Sequence, residues 1–193
     1  MMKKIILASN NKHKIKEFNE VLSDYEILSL NDIGFFDDIV EDGESFADNA
    51  LIKCRAVYDY CQKNNYNYDI ISDDSGLCCD ALNGEPGIYS ARYAGNHNDQ
   101  ANRDKLRNNL KDKDRTAYFV CFICLYKNDN DYKFFEGRSY GKIIDEEKGS
   151  TEFGYDSIFY STEINKTFGE ASSLEKNSVS HRGRAILKLK EVL

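Results

Sequence analysis

The first seventy residues alternate between apolar runs and amphipathic stretches, and this alternation most constrains the fold. Residues 5–8 form a short apolar run within a predicted strand at 3–8, and after a polar turn Ile15, Phe18, Val21 and Leu22 recur at spacings of three and four. That spacing is typical of one face of a helix, whereas the run before it is typical of a buried strand. A strand followed at once by a helix predicts an α/β protein.

The same alternation continues along the chain. Ser45 followed by Asp48 resembles a capping box and predicts a helix to about residue 62. Asp73-Asp74-Ser75-Gly76 should end the strand before it, because these residue types favour turns. Asn and Asp at residues 128–131 predict a hairpin turn. The other predicted elements are strands at 25–30, 68–72, 117–126, 132–136, 138–144 and 157–160, helices at 98–110 and from about 180 to the end, and a loop at 83–95. We therefore expect one domain, residues 1–193, with a central mixed β-sheet flanked by helices.

Charge and hydropathy exclude two classes of partner. The net charge is −7, from 26 Lys and Arg against 33 Asp and Glu, so a broad electrostatic contact with nucleic acid is not expected. No apolar run approaches the ~20 residues of a membrane span. The basic N-terminus is followed by only four apolar residues, too few for a signal peptide. We expect a cytoplasmic protein that binds neither nucleic acid nor membrane.

Six cysteines invite a disulfide or zinc hypothesis, but their spacing favours neither. Cys121 and Cys124 lie three apart in a predicted strand and should face opposite sides of the sheet. Cys54 and Cys61 lie in a predicted helix, where a free thiol packs as a small apolar group. We therefore expect buried, reduced thiols, which are typical of a reducing compartment.

The turn at residues 9–14 is the first candidate site. It reads Ser-Asn-Asn-Lys-His-Lys and lies between a predicted strand and a predicted helix. The N–H groups at a helix N-terminus attract anions, and two lysines add positive charge. Without glycine, the turn matches neither a Walker A loop nor a dinucleotide fingerprint. An ordinary polar loop with solvated lysines remains the alternative.

Adjacent carboxylates form the second candidate site. Asp73 and Asp74, with Ser75 after them, follow a predicted strand and suit a hard cation such as Mg²⁺ bound through oxygen. Glu41, from the acidic run at 37–44, is a further carboxylate for this site. The alternatives are a turn capped by Asp and Ser, and a solvated acidic surface.

Two later segments are candidates for binding a base. Phe153-Gly154-Tyr155-Asp156 offers aromatic rings on which a purine can stack. Lys176, His181 and Arg182 supply hydrogen-bond donors for base edges or phosphate oxygens. Ordinary packing and a solvated helix start are the alternatives.

Taken in order, these segments resemble the inosine triphosphate pyrophosphatase family over nearly the whole chain. The matching stretches are 7–11 with Lys14, Glu41 with 49–53, 72–77, 84–93, 153–156, and 175–176 before 180–182. Ser157 departs from the family, in which many members carry proline there, and residues 96–114 match poorly. The resemblance implies a mixed, twisted sheet with helices on both sides, two lobes and a nucleotide cleft between them.

The resemblance also implies an activity. Family members are Mg²⁺-dependent homodimers that hydrolyse ITP, dITP and XTP to the monophosphate and pyrophosphate, thereby cleansing the nucleotide pool. On this basis Asp74 and Asp73 are the candidate catalytic residues, and Glu41 and Asp74 the candidate metal ligands. The candidate substrate-binding residues are Ser9, Asn10, Asn11, Lys12, His13, Lys14, Lys53, Asp74, Ser75, Arg92, Phe153, Gly154, Tyr155, Asp156, Lys176, His181 and Arg182.

Two other functions stay open at this point. A related fold hydrolyses modified pyrimidine triphosphates, but it has a Ser-rich, Arg-containing first loop, unlike the Asn10-Asn11 pair and the stretch 180–182 here. A nucleotide sensor that binds without catalysis is the second alternative. Pure binding would not require the carboxylate pair of Glu41 and Asp74, which favours an enzyme.

Overall fold

One mixed β-sheet runs through the chain in the computed structural model, which describes residues 2–95 and 97–193. Within this range the strands are β1 (Lys3–Leu7), β2 (Tyr25–Leu28), β3 (Asp69–Cys79), β4 (Thr116–Asn128), β5 (Asp131–Ile143), β6 (Phe159–Ser161) and β7 (Lys166–Thr167). The helices are α1 (Lys12–Val21), α2 (Phe46–Lys63), α3 (Asp99–Asn109), α4 (Ser173–Val179) and α5 (His181–Lys190), with 3₁₀ turns at Asp80–Leu82 and Gly87–Arg92. The strand order is β2-β1-β3-β4-β5-β6-β7.

Both directions of pairing occur in the sheet. β1 pairs in parallel with β2 and with β3, whereas β6 pairs antiparallel with β5 and with β7. Parallel strands joined through helices put helices against the sheet faces. The prediction of an α/β fold with a mixed, twisted sheet flanked by helices is confirmed.

The contacts divide the chain into two compact units, each described by itself. The first holds the chain up to Asp74 together with Cys121–Glu136 and Ala185–Leu193, and the second holds Ser75–Val120 and Gly137–Arg184. Because the boundaries fall inside β3, β4 and β5, each of these strands contributes residues to both units.

The first unit has an apolar core on each face of its strands. Ile5 and Leu7 pack with Phe18 of α1, whereas Ile6 packs with Ala50 and Cys54 of α2. Successive strand residues point to opposite faces, so β1 is buried on both sides. Cys121 and Cys124 also fall in different clusters, as their spacing in the strand predicts.

The second unit is built around aromatic side chains. Phe119, Phe159 and Phe168 pack together, with ring centroids of Phe119 and Phe159 4.7 Å apart. Tyr155 and Leu106 belong to the same cluster.

All six cysteines of the chain are free and buried, so the prediction of buried thiols is confirmed.

The structure corrects one strand boundary that matters for the site. Residues 73–76 do not end the strand at residue 72, because β3 continues through them to Cys79. The carboxylates of Asp73 and Asp74 have cationic and amide partners from α1 and α2, and such contacts override the turn preference of the residues themselves.

Further along, the predicted strands 132–136 and 138–144 are one strand, β5. Gly137 lies within it, and Gly141 pairs with Ser161 where a Cβ would overlap the Tyr160 carbonyl. The sequence analysis missed β7 and α4. Helix α4 begins with a complete capping box between Ser172 and Glu175, a signal that the sequence does carry.

None of the helices in the described part of the chain is long and apolar enough to cross a membrane. Asn96, the first residue of the poorly matching stretch 96–114, and Met1 of the basic N-terminus lie outside the described residues.

Candidate functional site

The turn between β1 and α1 is held by its own side chains. The Oδ1 atom of Asn11 accepts hydrogen bonds from the N–H groups of His13 (2.9 Å) and Lys14 (3.2 Å), so Asn11 is the N-cap of α1. Ser9 Oγ accepts from the Asn11 N–H at 3.1 Å, and Asn10 Oδ1 accepts from the Asn31 N–H at 2.9 Å. The polar side chains expected to bind substrate thus also fix the backbone of the turn.

The charged side chains of this turn differ in exposure. Lys12 and His13 lie exposed in the first turn of α1. The Lys14 ammonium instead lies 3.0 Å from Asp73 Oδ1, whose carboxylate is fully buried. The structure therefore joins the first candidate site to the second through one ion pair.

Asp73 and Asp74 face opposite sides of β3. Ile71, two residues before Asp73, packs in the cluster with α1, whereas Ser72 Oγ donates to the Ala50 carbonyl of α2. With a side-chain period of two, Asp73 continues the α1 face and Asp74 the α2 face. The strand thus presents the two carboxylates to two different helices.

Asn49 and Lys53 of α2 hold the Asp74 carboxylate. The Asn49 side-chain amide donates to Asp74 Oδ2 at 3.1 Å, and the Lys53 ammonium lies 3.7 Å from Asp74 Oδ1. The same ammonium donates to Glu41 Oε2. Asn49 Oδ1 accepts from the Gly43 N–H at 2.9 Å, so α2 also fixes the segment that carries Glu41.

Burial and charge shift the pKa values of this cluster. Burial raises the pKa of Asp74, against the opposing effects of the Lys53 and Lys14 ammonium groups and the Asn49 amide. Burial would lower the pKa of Lys53, but the carboxylates of Asp74, Glu41 and Asp73 outweigh it, and the pKa is raised. Lys53 therefore stays charged, while Asp74 is a stronger proton acceptor than an exposed aspartate.

Two carboxylates of this cluster suit a divalent cation. In residues 2–95 and 97–193 no three His, Cys, Asp or Glu side chains form a ready metal cage. Glu41 and Asp74 nevertheless share the Lys53 ammonium between their carboxylates. Mg²⁺ is commonly held by one or two carboxylates together with substrate phosphates, and this oxygen-only pair fits that pattern.

A cavity of about 330 Å³ lies beside the cluster, within the ~300–1,000 Å³ range of ligand pockets. The residues around it combine the predicted polar groups with two aromatic rings that the sequence analysis did not single out. Its lining includes Ser9, Asn10, Lys14, Glu41, Lys53, Asp73, Phe35 and Phe36.

In the second unit, two cations lie near the ring of Phe153. The Lys176 ammonium is 4.8 Å and the Arg182 guanidinium carbon 5.8 Å from the centroid of this ring. Lys176 also forms an ion pair with Asp156 at 2.7 Å, and Arg182 Nη2 donates to Ser75 Oγ at 3.2 Å. These contacts bring the loop at 153–156 together with Lys176, Arg182 and Ser75.

Tyr155 and His181 take a different place from the one expected. The Tyr155 ring is only 4% exposed, and its hydroxyl donates to the Ser90 carbonyl at 2.8 Å. Its faces pack in the core, so the prediction that Tyr155 stacks on a purine is wrong. His181 stacks on Phe119 with centroids 4.7 Å apart, and Arg92 lies over the Tyr89 ring.

The sequence analysis did not single out Asn49 or Gly43. The structure turns the side chains of Asn49 and Lys53 toward Asp74. A Cβ at residue 43 would lie 2.8 Å from Asn49 Oδ1, so only glycine lets the backbone approach this amide. The spacing from Gly43 to Asn49 gives no recognisable motif, and only the fold brings them together.

Comparison with known proteins finds relatives over nearly the whole chain. The sequence model described as the Ham1 family matches residues 5–192. The chain is 48% identical over 199 aligned positions to the dITP/XTP pyrophosphatase of Clostridium perfringens, covering 100% of this chain and 98% of that protein. It is 43% identical over 194 positions to the dITP/XTP pyrophosphatase of Campylobacter jejuni, covering 98% and 96%.

Solved structures give the same result at the level of the fold. The Ham1 protein of Staphylococcus aureus superposes with a TM-score of 0.84 at 42% identity, covering 98% of this chain and 97% of that one. A HAM1 protein from Coxiella burnetii gives 0.85 at 38% identity, covering 99% and 98%. With the match over residues 5–192, these similarities show that the chain belongs to the Ham1 family.

Proposed function

We propose that this chain is a nucleoside-triphosphate pyrophosphatase that hydrolyses ITP, dITP and XTP to the monophosphate and pyrophosphate. One observation carries the proposal: two consecutive carboxylates of β3 are each paired with a lysine, Lys14 or Lys53, beside a polar cavity. Relatives named dITP/XTP pyrophosphatase, which align over nearly the whole chain, support the choice of substrates.

The polar cavity binds the triphosphate in this proposal. Lys14 and Lys53 line the cavity with Ser9 and Asn10, and Lys12 and His13 add donors at the exposed start of α1. Positive charge placed where the leaving pyrophosphate gains negative charge stabilises the transition state. In phosphoryl transfer, such positioning and charge neutralisation supply most of the rate enhancement.

Asp74 orients a water molecule and accepts its proton. The water oxygen attacks the α-phosphorus, the bond from the α-phosphorus to the bridging oxygen breaks, and pyrophosphate leaves. Because burial raises the pKa of Asp74, its carboxylate accepts a proton more readily than an exposed aspartate. Asn49 fixes the carboxylate orientation, and Asp73 holds Lys14 from the opposite face of β3.

Glu41 and Asp74 would hold the divalent cation, for which Mg²⁺ is our proposal. When bound, such a cation neutralises triphosphate oxygens and lowers the pKa of a water molecule. Lys53 contacts both carboxylates and so keeps them close together.

Aromatic and cationic side chains recognise the base in this proposal. Phe153 stacks on the purine ring, while Lys176 and Arg182 donate hydrogen bonds to the 6-oxo group. Adenine carries an amino donor at that position, and a buried donor left without an acceptor costs about 1–3 kcal/mol. This mismatch would select inosine and xanthosine over adenosine nucleotides.

We further propose that residues 1–193 act as one catalytic domain of a cytoplasmic homodimer. The alignments with relatives cover 98–100% of the chain and support a single functional unit. Reduced thiols and a role in the nucleotide pool favour the cytoplasm.

A panel of nucleoside triphosphates with Mg²⁺, read out as pyrophosphate and as monophosphate, tests the proposal. We expect the highest kcat/KM for ITP, dITP and XTP. Asp59→Asn, an exposed substitution on α2, is the matched control for Asp74→Asn. Saturable binding without turnover would instead indicate a sensor, and preference for modified pyrimidine triphosphates would indicate the related enzyme class.

A further inference from the structure

Two residues of α3 form hydrogen bonds with the backbone N–H and the carbonyl of Gly154, in the loop that carries Phe153. The Gly154 N–H donates to Asp99 Oδ2 at 2.9 Å, and Arg103 Nη1 donates to the Gly154 carbonyl at 2.8 Å. Arg103 also reaches the Thr151 carbonyl at 3.4 Å. Asp99 and Arg103 are four residues apart, so they lie on one face of the helix.

The Arg103 guanidinium is itself fixed on its remaining sides. Its Nε donates to Glu147 at 3.2 Å, and its Nη2 donates to Gln100 Oε1 at 2.8 Å. The residue is only 3% exposed, which is unusual for arginine outside a paired site. A planar guanidinium with donors in fixed directions holds its acceptors more rigidly than a lysine would.

The backbone conformation at Gly154 depends on contacts from α3. Gly154 has a φ of 53°, in the left-handed region that glycine enters readily, and a Cβ there would meet open space. Glycine therefore serves the backbone conformation rather than close packing. Because glycine also permits many other conformations, the contacts from Asp99 and Arg103 decide which one the loop adopts.

We propose that Asp99 and Arg103 are positioning residues that set the orientation of the Phe153 ring, and through it the selectivity for the base. The proposal rests on the base-binding role given to Phe153 above. Neither residue belongs to the cluster of Asp73, Asp74 and their lysines, so their loss should affect the base more than the phosphates.

Steady-state kinetics with ITP and ATP test this role. Arg103→Ala should raise KM for ITP roughly 10- to 100-fold, the effect of a small misplacement of a bound group, with a smaller change in kcat. The ratio of kcat/KM for ITP to that for ATP should fall. Arg103→Lys keeps the charge but loses the planar group, so it should restore little of the ratio.

Two further variants sharpen the comparison. Asp99→Asn keeps a side-chain oxygen as acceptor for the Gly154 N–H, so it should retain most of the selectivity that Asp99→Ala loses. Arg107→Ala is the matched control, because Arg107 lies one turn further on α3 and also pairs with Glu147. An unchanged ITP-to-ATP ratio in Arg103→Ala, or an equal fall in Arg107→Ala, would overturn the proposal.

A second measurement reports the mobility and exposure of residue 153 and does not depend on catalysis. The chain has no tryptophan, so Phe153→Trp introduces a single fluorescent reporter at the ring in question. Adding Arg103→Ala should increase acrylamide quenching and lower the anisotropy of this reporter, whereas adding Arg107→Ala should change neither. If the wild-type protein failed to hydrolyse ITP, only the proposed function would fall, while unchanged reporter signals would overturn the positioning role independently.

Discussion

Asp73 and Asp74 are neighbours in β3, yet their carboxylates pair with lysines from two different helices. Asp73 Oδ1 lies 3.0 Å from the Lys14 ammonium of α1, and Asp74 Oδ1 lies 3.7 Å from the Lys53 ammonium of α2. The alternation of side chains along a strand produces this division. One dipeptide thereby brings two cations to the same strand.

Replacing Asp74 with Asn should abolish turnover but leave nucleotide binding measurable. The amide keeps the shape of the side chain and loses its charge and basicity, and general-base groups contribute about 10²-fold or more. A steady-state turnover assay and a nucleotide-binding titration of the variant check this result. A variant that kept more than about a tenth of kcat would exclude Asp74 as the base and as a metal ligand.

Asn49→Ala should lower both activity and stability. The substitution removes the donor to Asp74 Oδ2 and leaves the Gly43 N–H without its acceptor, at a cost of about 1–3 kcal/mol in unfolding free energy. We expect kcat to fall more than KM changes, since the Asp74 carboxylate loses its orientation. Urea unfolding and kinetics measure the two effects, with Asp59→Ala as the control on the same helix. An unchanged kcat would show that Asp74 does not need this amide.

Chelation should stop activity, and added Mg²⁺ should restore it. The cluster of Glu41, Asp73 and Asp74 offers carboxylate oxygens, which prefer a hard cation, so Zn²⁺ should substitute poorly. Pyrophosphate release is measured with excess EDTA, and with the same EDTA saturated by Mg²⁺ as control. Full activity in the presence of free chelator would contradict the metal assignment.

Arg182→Ala should reduce kcat/KM for ITP far more than for ATP. Sites built to hydrogen-bond one group reject analogues that lack it by about 10⁴-fold, so loss of the donor should narrow the ratio between the substrates. Because Arg182 is only 2% exposed, thermal unfolding of the variant is measured alongside the kinetics. An equal fall for both substrates would assign Arg182 to phosphate, which guanidinium groups also suit.

Glu175 should make the protein sensitive to acid. The Lys166 ammonium and the N–H and hydroxyl of Ser172 hydrogen-bond its carboxylate and lower its pKa from 4.5 to about 2. A lowered pKa in the folded state means that the ionised carboxylate stabilises the fold above about pH 4.5, and that this contribution is lost as the pH falls toward about 2.

Glu175→Gln should therefore unfold more easily than the wild type at neutral pH, and the difference should vanish near pH 2. Urea unfolding of both proteins across this pH range measures the difference, and Glu152→Gln, at an exposed position, is the control. A difference that stayed constant with pH would show that the carboxylate charge does not stabilise α4.

Much of the fold could be predicted from local sequence. Several signals depend only on residues close together in the chain, so they can be recognised in the sequence. They are the apolar spacing of α1 and α2, the Ser45 cap and the polar turn after β1. Even α4, which was missed, carries its capping box in the printed sequence.

The candidate site depended more on tertiary contacts. Phe153 and Tyr155 are both aromatic residues of one loop, but the fold buries Tyr155 against the Ser90 carbonyl and places Phe153 near Lys176 and Arg182. The sequence has no signal for this difference, because it depends on segments far apart in the chain.

The sequence by itself determined the residue types, the strand and helix patterns, and the chemical character of the site: carboxylates, lysines and an aromatic loop. Only the tertiary structure decided that β3 continues through Asp73 and Asp74, and that Arg103 supports Gly154. The physical reason is that the turn and surface preferences of single residues contribute less free energy than the ion pairs and hydrogen bonds that distant helices provide. A carboxylate that has a lysine and an amide as partners stays in an extended strand, and an arginine whose guanidinium donates to four acceptors can be buried.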